Sequence, residues 1–254
     1  MKIYLNLGKS TSMRMMNAVM YASLLDLGHE LVSYDVADIV IGLRDLRVQD
    51  ESKVWRDLRK YTGKKYILYQ VEQYEHRREL VDSLYKFGLD EIWGFDIGNE
   101  KEIYTPFGYH PCLLFESVFS EDIDVGFFGW QRGRRNVWRK NVRNKWTGMN
   151  SFDPVVLERN ITRARINLNI HYYSATQFTE WLRIAYFLAN KQFFISERFY
   201  CPIDVPQFDT PETYDALVEY YLKHSEERKR KANKMSKIYK EHFDMRDILH
   251  ARGF

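Results

Sequence analysis

The chain has 254 residues, 45% of them hydrophobic, so it can bury a substantial core, and its length allows one large domain or two small ones. A net charge of only +3 argues against a protein that binds nucleic acid through bulk charge alone. Two cysteines, Cys112 and Cys201, stand in no metal-like spacing; they indicate neither a disulfide scaffold nor a zinc site and fit a reducing compartment.

Lys2–Leu7 reads as a strand, with no signal-peptide pattern ahead of it. A helix follows from Ser12 to Leu27 and closes at Gly28. Glu30–Asp35 and Asp38–Leu43 are short strands, Asp50–Gly63 a helix, Lys65–Gln70 a strand, His76–Phe87 a helix and Glu91–Phe95 a strand. A second series opens with the strand Asp122–Trp130. It continues through a basic helix, a short strand near Trp146, a helix over Pro154–Arg163 and the strand Arg165–Ile170. A long helix (Ala175–Asn190), the strand Gln192–Glu197 and two terminal helices complete it. Strands alternating with helices predict an α/β protein with parallel sheets. The break falls in Thr105–Glu121, where Pro106, Gly108 and Pro111 interrupt the rhythm. The expected division is 1–110, 111–240 and a tail or helix over 241–254: two Rossmann-like, doubly wound domains facing a cleft. No apolar run reaches the length of a membrane span, so a cytoplasmic protein is expected.

In doubly wound sheets ligands bind beyond the carboxyl ends of the strands. "RINLNIHYY" therefore brings His171, Tyr172 and Tyr173 to a site position, or packs the same rings on a neighbouring helix. "LGKST" lacks the first glycine of a Walker loop, with Ile3 in its place. Gly8 still permits a tight turn, and the amides near Ser10 face an anion or simply cap a helix. Asp122 and Asp124 match the D-x-D of metal-dependent sugar transferases but begin a strand, the wrong end for a site. Between Val125 and Phe152 there is no acid, whereas Arg132, Arg134, Arg135, Arg139, Lys140, Arg143 and Lys145 all fall there. The first arginines follow a strand, where a guanidinium fork suits a diphosphate; the later ones, with Trp138 and Trp146, are a solvated face or a nucleic-acid track. Glu72 and Gln73 lie just past a strand end, where a carboxylate serves as a base toward an acceptor hydroxyl, orients a ligand or caps a helix.

Four blocks of the second half resemble the C-terminal domain of group 1 nucleotide-sugar glycosyltransferases with GT-B architecture, in their short phage, viral and bacterial forms. They are "TPFGYHP", "DVGFFGWQRGRR", "ARINLNIHYY" and "LRIAYFLANKQFFISE". "YILYQVEQ" and "EIWGFDIGNEKEIY" are similar to the N-domain of the same forms. The resemblance implies a glycosyltransferase that takes a UDP- or GDP-sugar as substrate; no cofactor is expected, and arginines with helix amides are expected to stabilise the leaving phosphate without a metal. With the resemblance, Gly129, Arg134, Arg135, Tyr172, Tyr173, Arg183, Tyr186, Ser196 and Glu197 are expected at the donor, joined by Gly8 and Ser10 from the anion-facing turn. His171 and Glu72 are the expected catalytic groups, and Gln73, Asp96 and His110 the acceptor side. Many members bind the ribose through a glutamate at the position of Tyr186 and carry an acid where Phe178 stands, so Tyr186 or Glu197 is expected to take over that contact. The acceptor is left open between a glycan, lipid or protein hydroxyl and hydroxymethylated bases of DNA. An inactive relative that binds a nucleotide or a protein partner is the further alternative.

Overall fold

Short strands, most of them buried along their length, build two parallel sheets. The computed structural model describes residues 1–6, 14–44, 63–70, 89–95, 100–117, 119–149, 153–171 and 180–254. The expected helices over 50–62 and 76–87 lie outside the described residues.

The first sheet contains β1 (Lys2–Asn6), β2 (Glu30–Leu31), β3 (Ile39–Arg44), β4 (Lys65–Gln70), β5 (Glu91–Gly94) and β6 (Ile103–Tyr104), in the order β2-β1-β3-β4-β5-β6. All its pairings are parallel. Tyr66 to Tyr69 are buried in succession, as expected of a parallel strand covered on both faces. Helix α1 (Arg14–Asp26) turns Met15, Met16, Val19, Met20 and Leu24 inward, an apolar stripe at helical spacing. It stops where Gly28 takes φ +77°, and His29 N then donates to Leu24 O. The predicted strand over Glu30–Asp35 is shorter than expected: β2 ends at Leu31, and Tyr34–Val36 form a single 3₁₀ turn.

The second sheet contains β7 (Ile123–Phe128), β8 (Thr147–Met149), β9 (Ala164–Asn169), β10 (Phe194–Glu197) and β11 (Gln207–Phe208), ordered β11-β10-β9-β7-β8 and again parallel throughout. The described helices are α2 (Arg134–Asn141), α3 (Pro154–Arg163), α4 (Trp181–Ala189), α5 (Pro211–Lys223) and α6 (Ser225–His242). Asp153 caps α3 by accepting from Val155 N and Val156 N at 3.1 Å each, with Pro154 at the first helical position. Trp181 is fully buried, stacks on Tyr239 at 6.0 Å and meets Phe243 at 5.2 Å, which fastens α4 to α6. Of the tail or helix expected over 241–254, the structure forms a helix, α7 (Met245–His250), capped by Asp244.

The chain divides into one unit of Met1–Cys112 with Asp244–Phe254 and another of Leu113–Phe243. The last eleven residues are thus built into the first unit. Met245 N donates to Tyr109 O at 2.8 Å, and Phe254 packs edge-on against Trp93.

In the second sheet, β7 runs to β8 on one side, and the chain returns to β9 on the other side of β7. This reversal is the topological switch point, and it opens a crevice at the carboxyl ends of β7 and β9. The first sheet reverses in the same way between β1 and β3.

Candidate functional site

The carboxyl ends of β7, β9 and β10 lie side by side in the second sheet. After β7 the chain turns at Gly129 (φ +136°) and Gly133 (φ +58°), conformations that side-chain-bearing residues rarely adopt. The turns start α2 with Arg134 and Arg135 in its first turn.

Arg134 forms a two-pronged pair with Glu197 at the end of β10. Nη1 donates to Oε2 at 2.7 Å, and Nη2 donates to Oε1. Nη1 also reaches His171 O at 3.3 Å. His171 N donates to the same Glu197 carboxylate at 3.1 Å. Arg135 is buried; its Nε donates to Ile170 O at 2.9 Å and its Nη1 to Trp130 O at 3.0 Å, which ties the β7–α2 loop to β9.

A second carboxylate belongs to Glu180, the residue that precedes α4; it makes no hydrogen bond to the helix amides. Arg183 Nη1 donates to its Oε2 at 2.8 Å, His171 Nδ1 lies 3.1 Å from the same oxygen, and Arg135 Nη2 stands 3.9 Å from Oε1. Burial pushes the Glu180 carboxyl upward, but Arg183, His171 and Arg135 outweigh it and hold the group down to about 2. Arg183 Nη1 also donates to Asn169 Oδ1 and, at 3.2 Å, to Ile170 O. Asn169 Nδ2 continues to Ser196 Oγ at 2.9 Å, and Ser196 Oγ donates to Glu197 O at 2.7 Å. Phe127 lies beneath both Arg135 and Arg183, with guanidinium-to-ring distances of 5.1 and 5.4 Å. Arg183 Nη2 has no protein hydrogen bond among the described residues. It would lie 3.7 Å from a Cβ placed on Gly129.

His171, Gly129, Arg134, Arg135, Arg183, Ser196 and Glu197 are therefore brought together. Tyr186 stands elsewhere on α4, stacked on Phe115 at 5.8 Å and edge-on to Phe128. His110 lies in the first unit, where Nδ1 accepts from Cys112 N and Nε2 faces Asp26 Oδ2, each at 3.1 Å. Gly8, Ser10, Glu72, Gln73, Asp96, Tyr172 and Tyr173 lie outside the described residues. The His171 ring, an expected catalytic group, is buried, and its Nε2 stands 3.2 Å from Arg198 O. Both of its nitrogens meet protein acceptors.

At the opposite edge of the same sheet, Asp122 pairs with Arg163 and Asp124 with Arg165. The basic segment is also largely spent on the fold. Arg143 pairs with Glu219 at 2.9 Å, and Lys145 donates to Arg139 O, Lys140 O and Val142 O at the end of α2. Arg132, Arg139 and Lys140 remain exposed, with Arg132 over the exposed ring of Trp130.

No family model matches the chain, and no curated protein matches it in sequence. Solved structures do. Anabaena Alr3699/HepE, in complex with UDP and glucose, matches over 99% of this chain and 98% of its own at TM-score 0.63 and 9% identity. The DNA-modifying enzyme β-glucosyltransferase, solved with and without uridine diphosphoglucose, matches over 99% and 95% at TM-score 0.57 and 14% identity. T4 phage BGT, with its UDP-glucose substrate, matches over 99% and 95% at TM-score 0.53 and 14% identity. The fold is GT-B. Within this GT-B fold the charged cluster occupies the switch point of the second Rossmann-like sheet, where the topology alone predicts a ligand.

Two members of the GT-B cluster escaped the sequence reading. Glu180 lies outside the positions at which the family pattern carries acids, and it becomes significant only because α4 starts beside the end of β9. Asn169 reads as a polar residue in an alternating strand. The signal for both was positional: a polar residue at a strand end, and an acid at a helix start opposite it.

Proposed function

We propose that this chain is a glycosyltransferase that moves a sugar from a nucleoside-diphosphate sugar, of the UDP class, to an acceptor hydroxyl. The observation that carries this reading is the charge at the second switch point. Arg134, Arg135 and Arg183 converge there on two carboxylates, Glu180 and Glu197, so cations exceed anions even before His171 is counted. A diphosphate supplies the missing negative charge. Arg183 Nη2, beside Gly129 and without a hydrogen bond among the described residues, is the donor we assign to it. The bond from the sugar's C1 to the diphosphate oxygen breaks as a bond from the acceptor oxygen to C1 forms. The acceptor proton passes to a base, and the nucleoside diphosphate leaves with the electron pair of the broken bond. Guanidinium groups aimed at that oxygen stabilise the growing charge, the largest contribution in sites of this kind. Glu72, just after β4, is the base we propose. The arginines supply positive charge at the diphosphate, so transfer is proposed to proceed without a divalent ion; activity lost in EDTA and restored by Mn²⁺ would refute that step.

Thermal shift with a nucleotide panel tests the core of the reading. UDP raises the melting temperature if the site is a donor site, because a ligand that binds only the native state stabilises it. If no nucleoside diphosphate shifts melting at millimolar concentration, the reading is wrong.

A second reading takes a hydroxyl on a DNA base as the acceptor. The GT-B likeness to a DNA-modifying enzyme and the exposed Trp130, Arg132, Arg139 and Lys140 favour it. A DNA mobility shift that weakens steeply with salt supports this acceptor, and its absence argues for a glycan, lipid or protein hydroxyl.

A further inference from the structure

The surroundings of His171 contain two hydrogen bonds that a neutral ring cannot make together. Nδ1 lies 3.1 Å from Glu180 Oε2, and Nε2 lies 3.2 Å from Arg198 O. A backbone carbonyl only accepts, and so does an ionised carboxylate. Neutral imidazole carries one N–H, so one of the two contacts would then set lone pair against lone pair. Only the imidazolium satisfies both.

The groups that face the ring come from every element around it. Glu180 directly precedes α4, and Arg183 lies in the first turn of that helix. Arg134 and Arg135 project from α2, the first onto His171 O. Glu197 at the end of β10 accepts from His171 N. Phe199 packs edge-on against the ring at 5.8 Å. The Arg198 side chain is mostly exposed and turned to Asp209, so that residue offers His171 only its carbonyl. Residues 172–179 lie outside the described residues; their titratable groups in the sequence are Tyr172 and Tyr173.

We propose that Glu180 is a positioning residue that holds His171 as an imidazolium, and that this buried charge makes anion binding at the switch point depend on pH. With His171 charged, four cationic groups face the carboxylates of Glu180 and Glu197, a surplus of two positive charges that matches a diphosphate. Loss of the ring proton halves the surplus, and one of the two ring contacts becomes repulsive. The second half of the proposal rests on the donor-site reading above. The first half does not.

The test pairs a structural readout with a binding readout. Histidine rings labelled with ¹⁵N are followed by NMR across pH in the wild type and in Glu180→Gln, with the His171 signals identified by their loss in His171→Asn. We expect two ring N–H protons on His171 in the wild type at pH 6, and loss of the second proton at lower pH in Glu180→Gln. A single ring N–H in the wild type, or the same titration in both proteins, overturns the proposal. If Glu180→Gln does not fold, the count of ring protons in the wild type decides alone, and Glu180→Asp, which keeps the carboxylate, should retain both.

UDP is the probe for the second half. Its own last ionisation adds negative charge as pH rises, so the difference between the two proteins is what matters. At pH 6 the two proteins should bind UDP about equally, because the variant loses the Glu180 charge together with the ring proton; toward pH 8.5 the wild type, with one positive charge fewer in surplus than the variant, should fall about tenfold behind it. The expected ring behaviour without any UDP binding supports the positioning role and sinks the donor-site reading. UDP binding with equal affinity and equal pH dependence in both proteins leaves the donor site standing and overturns the pH-dependent binding proposed here.

Discussion

The two edges of the second sheet use the same chemistry for different ends. At its amino edge, Arg163 pairs with Asp122 and Arg165 with Asp124, one cation to one anion, in open solvent. At its carboxyl edge, Arg134 pairs with Glu197, while Arg135, Arg183 and His171 crowd around Glu180. The side chains of His171, Arg135 and Glu197 are at most 10% exposed there. Exposed pairs of matched charge contribute little, because water screens them and holding two long side chains in place costs entropy. A buried and unbalanced cluster is costly to assemble, and its unsatisfied charge is available to a ligand. Residue type does not separate the two edges; burial and the count of charges do.

Arg134→Ala should break this contrast most severely. It strips the Glu197 carboxylate of its two-pronged partner and leaves it buried beside a lone backbone N–H. Removing one partner of a buried pair costs about 3–5 kcal/mol, and the partial exposure of Arg134 lowers the expected loss to about 2–3 kcal/mol. Urea unfolding reads it. UDP affinity should also fall more than in Arg143→Ala, whose guanidinium is 75% exposed and faces Glu219; equal losses by calorimetry would move the anion site away from the β7–α2 turn.

Acid should reach the carboxyl edge next. The Glu180 carboxyl is depressed from an ordinary 4.5 to about 2, so the folded state binds its proton less readily than the unfolded chain does. The stability this contributes is complete above about pH 4.5 and is lost as pH falls toward about 2. Wild type and Glu180→Gln should therefore converge in stability over that window; parallel curves would mean that the cluster is not what holds the carboxylate.

Gly129→Ala should cost about 1–2 kcal/mol, because φ +136° strains any residue with a Cβ. Its Cβ would also lie 3.7 Å from Arg183 Nη2, so UDP binding should weaken more than stability does. The smallest effect belongs to the amino edge. Asp124→Asn should change stability by about 1 kcal/mol or less and leave UDP affinity unaltered, and a larger effect on binding would erase the distinction between the edges.

Much of the architecture was legible because buried parallel strands advertise themselves. Lys65–Gln70 and the alternation through Ile166 and Leu168 lead directly to β4 and β9. Two-residue strands such as β6 and β11 carry no periodicity, and the sheet edge alone defines them. At the site, Arg134, Arg135 and His171 were legible from their places after strands. Their partners were not, because pairing Arg134 with Glu197 joins residues 63 positions apart in sequence. For His171 the sequence leaves a site position and packing on a neighbouring helix both open, because a strand-end histidine is free to face either way. The inward choice follows from Glu180, which lies nine residues later and across a helix start.

The docking of α7 sets an order of events during synthesis. The first unit joins Met1–Cys112 to Asp244–Phe254, which emerge only after the whole of Leu113–Phe243. Arg246 meets Asp26 at the end of α1, Arg252 donates to Tyr104 O, and Phe254 covers Trp93 and His29. A nascent chain on the ribosome can complete the second sheet while the first still waits for its closing helix. Until Asp244–Phe254 emerge, Trp93 lacks the edge-on ring of Phe254, so these contacts of the first unit can form only after every residue of the second has been made.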